Sequence, residues 1–515
     1  MNLAMQLRHA DTEGFQPNPG LSTRNFTRIA EGGFGDGHNN YAHSMAWFEG
    51  KLYVGTTRQN LCMLRLQSAF ETMPFYTWPV ECPDTIDELD KLDRSAQIWC
   101  YDPVIKHWEM VFRAPLVPGD AGGMVAREMG YRSMAVFQSE SDPKPALYVA
   151  AWAPRRAPGG NILRSYDGRT FECVTRPGIL EQPVSATRSL TSFGDRMFFS
   201  PTARRAANLP GGAVNLPGSQ QNTANMPLIF ESRDPGRQSW TEANEPGFGD
   251  PQNLGIFTLF ADDTRLYAGT FNLAGFQIWT SDCLGPPPYQ WHKLIDNGAG
   301  RGPLNQFVAS MTSFAGAIYV GTGIQGGGTD RVNKVGPAAA ELIRINPDDT
   351  WDLIVGEPRQ ADGKGREPLS GLRSGFGNLF NGYLWTLASH NGWLYAATFD
   401  WSVMLRWTKA SDAPPKVVRF FDHLGPEFLI ANSSGADLWR SQDGENWMPV
   451  TKQGFGSPYN TGIRNLVSTP HGLFVGTANF FGPRVAVRHG SEWVYEDNPR
   501  GGLEVWLGNN SGAAS

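Results

Sequence analysis

The residues best placed to do chemistry stand at two recurring positions around a repeated segment. Its first copy reads Ser44-Met-Ala-Trp-Phe-Glu-Gly-Lys-Leu-Tyr-Val-Gly-Thr56. The first position directly precedes each copy, and its seven occupants are His43, Arg132, Arg188, Phe257, Ala309, Trp385 and Arg464. Three arginines and a histidine at one position could hold an anion or a polar head group. They could equally pair with nearby acids in a purely structural role, and both alternatives stand.

The second position lies two residues after each copy. Its occupants are Arg58, Ala153, Ala203, Asn272, Ile324, Asp400 and Asn479. The pattern favours no charge here, so Arg58 and Asp400 depart from it, and such departures are often functional. We predict that Asp400 acts as a catalytic base and that Arg58 stabilises a leaving anion, with a structural ion pair as the alternative. The side chains predicted to contact substrate are His43, Arg132, Arg188, Trp385, Arg464, Asn272, Asn479 and Phe480.

The repeated segment occurs seven times and predicts the fold. Each copy reads as a strand of alternating side chains, a tight turn at a glycine such as Gly50, and a second alternating strand. Most copies continue with an Ile-Trp strand and a fourth strand. Four short strands per unit predict an all-β, seven-bladed β-propeller of four-stranded blades. We assign it to residues 21–508, with tails at 1–20 and 509–515.

The two ends of the chain are predicted to meet in one sheet. The spacing of Phe26, Ile29 and Gly33 equals that of a fourth strand, but no first three strands precede it. The last unit ends after its third strand, at Val505. We therefore expect an N-terminal outer strand to complete the last blade and close the ring.

Long insertions are predicted to cover one face. They occupy 59–96, 202–226, 323–339, 408–436 and 480–500, mostly in the loop between the second and third strands of a unit. This loop opens on the same face as the Gly-Phe-Gly loops that precede the first strands. Propellers carry function on loops that a rigid ring holds in place. We therefore expect a capped, partly apolar pocket around the axis.

The Asp and Asn residues that follow the Gly-Phe-Gly loops could either bind calcium or form turns. Asp36 and Asn39 follow the first loop, and an Asn recurs at the matching place in three others. Carboxylates are too few for calcium loops, so we interpret these residues as turn formers. The nine histidines show no metal-ligand spacing, and we predict neither a metal nor a cofactor.

Composition limits the partners and the compartment. The net charge of −6 argues against nucleic-acid binding. No apolar run is long enough for a membrane span, and the first ten residues do not resemble a signal peptide. Five cysteines without a CxxC motif favour reduced thiols and a cytoplasmic location, with a Cys62–Cys82 bridge as the alternative.

Two resemblances extend this prediction. The turns at Ser165-Tyr-Asp167-Gly168, Ser232-Arg-Asp234-Pro-Gly236 and Ser441-Gln-Asp443-Gly444 resemble the structural Asp-boxes of sialidase-type propellers. The whole unit, from Gly-Phe-Gly-Asp to Ser-x-Asp-Gly, resembles a bacterial seven-bladed propeller family. That family includes cyanobacterial enzymes that join resorcinol rings to alkyl chlorides in cylindrocyclophane biosynthesis. The resemblance implies alkylating chemistry, with Arg58 and Asp400 in the pocket.

We therefore predict an enzyme of specialised metabolism that acts on a small hydrophobic aromatic or alkyl molecule. The alternative is a non-catalytic propeller that binds a protein or glycan through the decorated face. A closed pocket favours the enzyme, and an open face with exposed rings favours the binding module. The rings that decide between them are Phe70, Phe75, Trp78, Phe421, Phe428 and Phe480.

Overall fold

Seven antiparallel hairpins, one from each copy of the repeat, form the inner part of the molecule. The computed structural model describes residues 19–66, 75–178, 184–203, 227–409 and 415–510. In the first hairpin Glu49 and Gly50 both have positive φ, 46° and 76°, as a two-residue type I′ turn requires. The paired strands are Asn39–Phe48 with Lys51–Arg58, Gly130–Phe137 with Ala146–Trp152, Val184–Phe193 with Arg196–Ala203, Asn253–Ala261 with Leu266–Asn272, Phe307–Phe314 with Ala317–Gly323, Asn381–His390 with Trp393–Asp400, and Gly462–Thr469 with Gly472–Ala478.

Outer strands extend each hairpin into a sheet of four, numbered here from first to seventh in chain order. The outer pairs of the first six sheets are Gln97–Asp102 with His107–Arg113, Ile162–Ser165 with Glu172–Cys173, Phe230–Ser232 with Thr241–Glu242, Ile278–Ser281 with His292–Ile295, Leu342–Ile345 with Trp351–Val355, and Leu438–Ser441 with Trp447–Thr451. Three further hairpins of the described ranges lie outside these sheets: Leu116–Pro118 with Met124–Ala126, Arg359–Ala361 with Lys364–Arg366, and Arg484–His489 with Glu492–Asp497.

The seventh sheet is completed from the other end of the sequence. Val505–Gly508 pairs with Gly472–Ala478 on one side and with Phe26–Ala30 on the other. The register places Phe26 opposite Gly508, and a side chain at Gly508 would collide with the Phe26 ring. Phe26–Ala30 is thus the outermost strand of this sheet.

Neighbouring sheets touch through their first strands. Each first strand packs against the first strand of the next sheet, and that of the seventh packs against that of the first. Single residue pairs also join neighbours, such as Thr57 with Gly130 and Tyr41 with Ala478. This confirms the predicted all-β, propeller-like architecture.

The Gly-Phe-Gly loops are turns held by their asparagines. Asn39 donates from Nδ2 to the carbonyl oxygen of Gly33 at 2.9 Å, and Asn253, Asn381 and Asn460 repeat this bond. Each loop phenylalanine has a positive φ and stacks on the tryptophan of the third strand. The four stacked pairs are Phe34 with Trp99, Phe248 with Trp279, Phe376 with Trp439, and Phe455 with Trp506.

Among the residues that the structure describes, helices are few and short. The α-helices are Asn60–Arg65, Ile86–Lys91, Asn297–Gly300, Pro415–Leu424 and Pro426–Ser433, and the 3-10 helices are Thr23–Asn25, Pro235–Arg237, Pro246–Gly249, Gly302–Leu304, Ser374–Gly377, Ser402–Arg406 and Gly454–Gly456. Across the described ranges, no helix combines the length and the apolar character that crossing a membrane demands.

Three segments meet above one end of the ring, and we call them the cap: the described residues of 59–96, together with 401–409 and 480–500. Phe75 forms a bridge with Thr408, and Val80 forms one with Val485. The fully buried Trp407 donates from Nε1 to the carbonyl oxygen of Ala486 at 2.9 Å. These contacts make the cap one packed unit. The predicted insertion at 202–226 lies outside the described residues beyond Ala203.

The cap contains a disulfide bond between Cys62 and Cys82, whose Cα atoms are 5.2 Å apart. The expectation of reduced thiols is therefore wrong for this pair, although Cys100, Cys173 and Cys283 are free. The cysteine spacing could not decide this, because the two residues are brought together by the fold of the insertion. Disulfides are rare in the cytosol, so the bridge is at odds with the predicted cytoplasmic location.

Removing the bridge should destabilise the cap. We expect the Cys62→Ala/Cys82→Ala variant to lose about 3 kcal/mol of unfolding free energy, because the bridge restricts the unfolded chain. Urea unfolding followed by tryptophan fluorescence measures this loss. Cys173→Ala, which removes an exposed free thiol, is the matched control. An unchanged midpoint for the double variant would contradict the structural role of the bridge.

Candidate functional site

A cavity of about 290 Å³ lies where the seven first strands converge beneath the cap. Six of the seven first strands contribute a side chain from their β-bulge to its wall, and the remaining one contributes Phe307, which places the cavity at the centre of the ring. Its lining residues are Tyr41, His43, Asn60, Leu61, Leu64, Phe75, Trp78, Arg132, Trp152, Arg188, Phe257, Phe307, Gln325, Gly326, Gly327, Thr329, Arg331, Tyr383, Trp385, Phe399, Trp401, Met404, Leu405, Thr408, Arg464 and Phe480.

A β-bulge in each first strand turns one side chain toward the centre. The pairing register shifts between Ala42 and Ser44, so that His43 is the extra residue of the first bulge. Equivalent shifts leave Arg132, Arg188, Phe257, Ala309, Trp385 and Arg464 as the extra residues of the other six strands. Bulges re-aim side chains in this way near functional sites. All seven positions except Ala309 line the cavity.

The described wall of the cavity is rich in positive charge. We call Arg132, Arg188 and Arg464 the arginine cluster. Arg331 also lines the wall, whereas no described Asp or Glu does. Among the described residues, no carboxylate forms a salt bridge with any of these four arginines. Nε and Nη1 of Arg132 and Nε of Arg464 are buried without a hydrogen-bond partner.

Aromatic rings hold the cluster in place instead. The guanidinium carbon of Arg132 lies 5.0 Å from the centre of the Trp152 ring. The corresponding distance is 3.3 Å from Arg188 to Phe257 and 5.4 Å from Arg464 to Trp385. Cation–π contacts orient a guanidinium but leave its N–H groups available to a ligand.

The cluster is electrostatically uncompensated. Burial and the charge of Arg464 lower the pKa of Arg132 to about 10. Burial, followed by the charges of Arg132 and Arg464, lowers the pKa of Arg188 well below its usual range. Burial also lowers the pKa of Arg464. A carboxylate, phosphate or sulfate in the cavity would relieve this repulsion.

His43 is the one imidazole in the described wall. Burial, followed by the charge of Arg132, lowers its pKa well below the ordinary value, so the ring is neutral at pH 7. Its Nδ1 lies 2.6 Å from the Thr57 hydroxyl oxygen, and its ring stacks on Tyr41 at 4.8 Å. No described residue hydrogen-bonds Nε2. A neutral, oriented imidazole can accept a proton from a bound molecule.

Arg58 and Asp400 are not part of this wall, so the expectation that they face the pocket is wrong. Arg58 is buried and donates from Nη1 to the Asp36 carboxylate at 2.7 Å, and from Nε to the Asp93 carbonyl oxygen at 3.1 Å. Asp400 is fully buried and accepts from the backbone N–H of Ser402 at 2.9 Å. Both side chains pack between loops. Arg58 forms a structural ion pair, which was the alternative to a catalytic role.

Of the eight residues predicted to contact substrate, six line the cavity wall and two support loops outside it. His43, Arg132, Arg188, Trp385, Arg464 and Phe480 line the cavity. Asn272 and Asn479 do not, because their side chains bond to the loop asparagines Asn253 and Asn460.

Among the rings that were to decide between enzyme and binding module, Phe75, Trp78 and Phe480 line the cavity. Phe421 packs in a separate cluster with Leu405, and Phe428 is exposed. Phe70 lies outside the described residues.

Many wall residues were not predicted, among them Arg331, Tyr383 and Trp401. Tyr383 lies near the start of the first strand of the sixth sheet, where a copy-by-copy comparison of the strand starts could have found it. Arg331 and Trp401 lie in segments outside the repeat, which gives no register there. Within the part of the chain that the structure describes, no three His, Cys, Asp or Glu side chains group as metal ligands.

Comparisons with known proteins give a structural likeness but no family. No family model matches the chain, and no curated protein matches it. Solved structures with a partial likeness include a xyloglucanase from Xanthomonas campestris, at a TM-score of 0.41 and 16% identity over 92% of this chain and 56% of that one. An aldose sugar dehydrogenase from Streptomyces coelicolor gives a TM-score of 0.33 and 12% identity over 72% and 91% of the two chains. These values assign neither an activity nor a substrate to this chain, and they do not support the resemblance to resorcinol-alkylating enzymes.

Proposed function

We propose that this protein binds a small organic anion with an aromatic or alkyl body in its central cavity. The observation that carries the proposal is a wall whose described residues include four arginines and no acid. A buried charge without a partner costs several kcal/mol, so a cluster of three is stable only if something else compensates it. A bound anion supplies that compensation, because guanidinium groups form strong, charge-assisted bonds with it.

The rest of the wall selects the body of the ligand. Phe257, Phe307, Trp385, Phe399 and Phe480 present apolar surface next to the charged groups. A volume near 300 Å³ is at the lower end of the range for small-molecule sites. The alternative, a non-catalytic propeller that binds a protein or glycan through its decorated face, would make no use of a cavity of this size.

We also propose that the seven sheets form one closed, seven-bladed propeller.

We also propose an enzymatic role in specialised metabolism. In this role, His43 replaces Asp400 as the base, and the arginine cluster replaces Arg58 as the group that stabilises the leaving anion. In an alkylation of a resorcinol by an alkyl chloride, a ring carbon forms the new C–C bond as the C–Cl bond breaks. His43 Nε2 would accept the phenolic proton as the C–C bond forms, and the arginine cluster would hold the departing chloride. The proton on the alkylated ring carbon would then move to the ring oxygen and restore the aromatic phenol, so that one proton and one chloride are released overall. Formation of alkylated product from a 5-alkylresorcinol and a secondary alkyl chloride, followed by mass spectrometry, tests this chemistry. A wild-type protein that forms no product would restrict the proposal to binding.

Matched ligands test the binding proposal directly. Naphthalene-2-carboxylate, naphthalene-2-carboxamide and 2-naphthylmethylammonium share a ring and differ in charge. We expect calorimetry to show the carboxylate binding at least about tenfold more tightly than the amide, because a charge-assisted bond contributes about 1.5–3 kcal/mol. The ammonium ion should not bind. Equal affinities for the three, or a preference for the cation, would refute an anion site.

A further inference from the structure

The asparagine that follows each Gly-Phe-Gly loop is part of a repeated hydrogen-bond arrangement. Its Nδ2 donates to the loop glycine, and its Oδ1 accepts from the side chain at the end of the neighbouring strand. Three sheets show this second bond: Arg58 Nη1 to Asn39 Oδ1 at 3.0 Å, Asn272 Nδ2 to Asn253 Oδ1 at 3.1 Å, and Asn479 Nδ2 to Asn460 Oδ1 at 3.2 Å. The position opposite the asparagine therefore supplies a donor.

The sixth sheet breaks the arrangement. Asp400 is the register partner of Asn381, and a carboxylate has no hydrogen to donate. Asn381 Oδ1 is accordingly buried without a partner. Asn381 Nδ2 donates to Asp437 Oδ2 at 2.9 Å, but Asp437 Oδ1 is also buried without a partner. All three side chains are fully buried.

The two carboxyls also lack an ion-pair partner. In the fifth sheet, the acid equivalent to Asp437 is Glu341, and Arg359 pairs with it at 2.9 Å. In the seventh sheet it is Glu504, which Arg28 approaches at 3.4 Å. Within the described residues, neither Asp400 nor Asp437 has a salt bridge. Asp437 is thus left without a paired cation where the equivalent acids of the fifth and seventh sheets have one. Asp400 also has no paired cation, although its Oδ1 accepts from Ser402 and its Oδ2 accepts from Asn378 Nδ2 at 3.1 Å.

We propose that an oxygen-coordinated cation of the calcium class binds between Asp400, Asp437 and the Oδ1 atom of Asn381. A proton on Asp400 would satisfy Asn381 Oδ1 but leave Asp437 Oδ1 without a partner. A divalent cation neutralises both carboxylates and engages both orphan oxygens. The donors are all oxygens, which Ca²⁺ prefers over thiolate-seeking or imidazole-seeking metals.

The test uses the full chain after dialysis against EDTA. At pH 8 we expect 1 mM CaCl₂ to raise Tm by about 2–5 °C. Tb³⁺ should show luminescence sensitised by Trp439, whose Nε1 lies 3.4 Å from Asp437 Oδ2. Ca²⁺ should displace it.

Asp400→Asn distinguishes a bound cation from a protonated carboxyl. The substitution restores the amide donor found at Asn272 and Asn479, so the metal-free variant should be more stable than the wild type at pH 8 and no longer respond to Ca²⁺. Asp250→Asn, in the equivalent loop of the fourth sheet, is the control that keeps the response. A wild-type protein without a Ca²⁺-dependent Tm or Tb³⁺ luminescence at pH 8 would overturn the proposal in favour of a protonated Asp400. A full Ca²⁺ response in Asp400→Asn would also overturn it.

Discussion

An Arg132→Met substitution is expected to weaken the binding of naphthalene-2-carboxylate by about 10- to 150-fold. This range corresponds to about 1.5–3 kcal/mol, the contribution of one charge-assisted hydrogen bond. Methionine keeps the length of the side chain and its contact with Trp152, but it removes the charge. Arg132→Met/Arg464→Met should abolish measurable binding. Isothermal titration calorimetry at fixed ionic strength measures both losses.

The same substitution should stabilise the ligand-free protein. Removing one of three guanidinium groups that repel one another eliminates a buried charge without a partner, so Tm without ligand should rise while affinity falls. Arg440→Met is the matched control, because Arg440 stacks on Trp393 at 4.9 Å and lies outside the cavity wall. It should leave affinity unchanged. If Arg132→Met lowered Tm and left affinity intact, the cluster would be structural and the anion site would be excluded.

A Trp407→Ala substitution is expected to cost about 3–5 kcal/mol of unfolding free energy, since it empties a large, fully buried site. The ring stacks on Phe481 at 5.4 Å, and the backbone carbonyl of Trp407 accepts from the N–H of Tyr76 at 2.8 Å. Trp407 thus joins all three segments of the cap. Loosening the cap should also expose the cavity, so naphthalene-2-carboxylate should bind more weakly, by roughly the tenfold that 1.4 kcal/mol represents.

Two further variants test whether the loss of stability is specific to Trp407. Trp407→Phe keeps most of the ring but leaves the Ala486 carbonyl oxygen without its donor, and should cost about 1–3 kcal/mol. Trp493→Ala removes a partly exposed ring of the same cap, which stacks on Tyr76 at 6.4 Å, and should cost less than either Trp407 variant. Urea unfolding gives the three values, and limited proteolysis shows whether 59–96 and 480–500 become accessible. Equal costs at Trp407 and Trp493 would contradict a central role for Trp407.

The residues of the cavity wall could be predicted from the sequence more accurately than the location of Arg58 and Asp400, the two residues thought to be most reactive. His43 and the arginine cluster were found because they precede a constant Ser, Thr or Asn in every copy of the repeat. The bulge that turns these side chains inward could not be predicted. One extra residue shifts the alternation of inward and outward side chains by a single place, and a strand this short does not show that shift in its sequence. Their location could therefore be predicted, while the local geometry that produces it could not.

Arg58 shows why a departure from a repeat is weak evidence for catalysis. Its partners Asp36 and Asp93 lie 22 residues before it and 35 residues after it, and Asp93 belongs to an insertion. No sequence pattern links an insertion residue to the position where it packs. The helices Pro415–Leu424 and Pro426–Ser433 were missed for the same reason, because the repeat gives no register inside an insertion. The fold could be predicted wherever the chain repeats.

The pairing of Phe26–Ala30 with Val505–Gly508 has a consequence for biosynthesis. The ribosome makes the first of these strands early and the second only after nearly all the intervening chain. At about 5–20 residues per second, this delay is roughly half a minute to a minute and a half. Throughout translation the early strand lacks its hydrogen-bonding neighbour, and the six finished sheets lack their last member. A chaperone that shields exposed strand edges should therefore raise the yield of this protein more than one that acts after release.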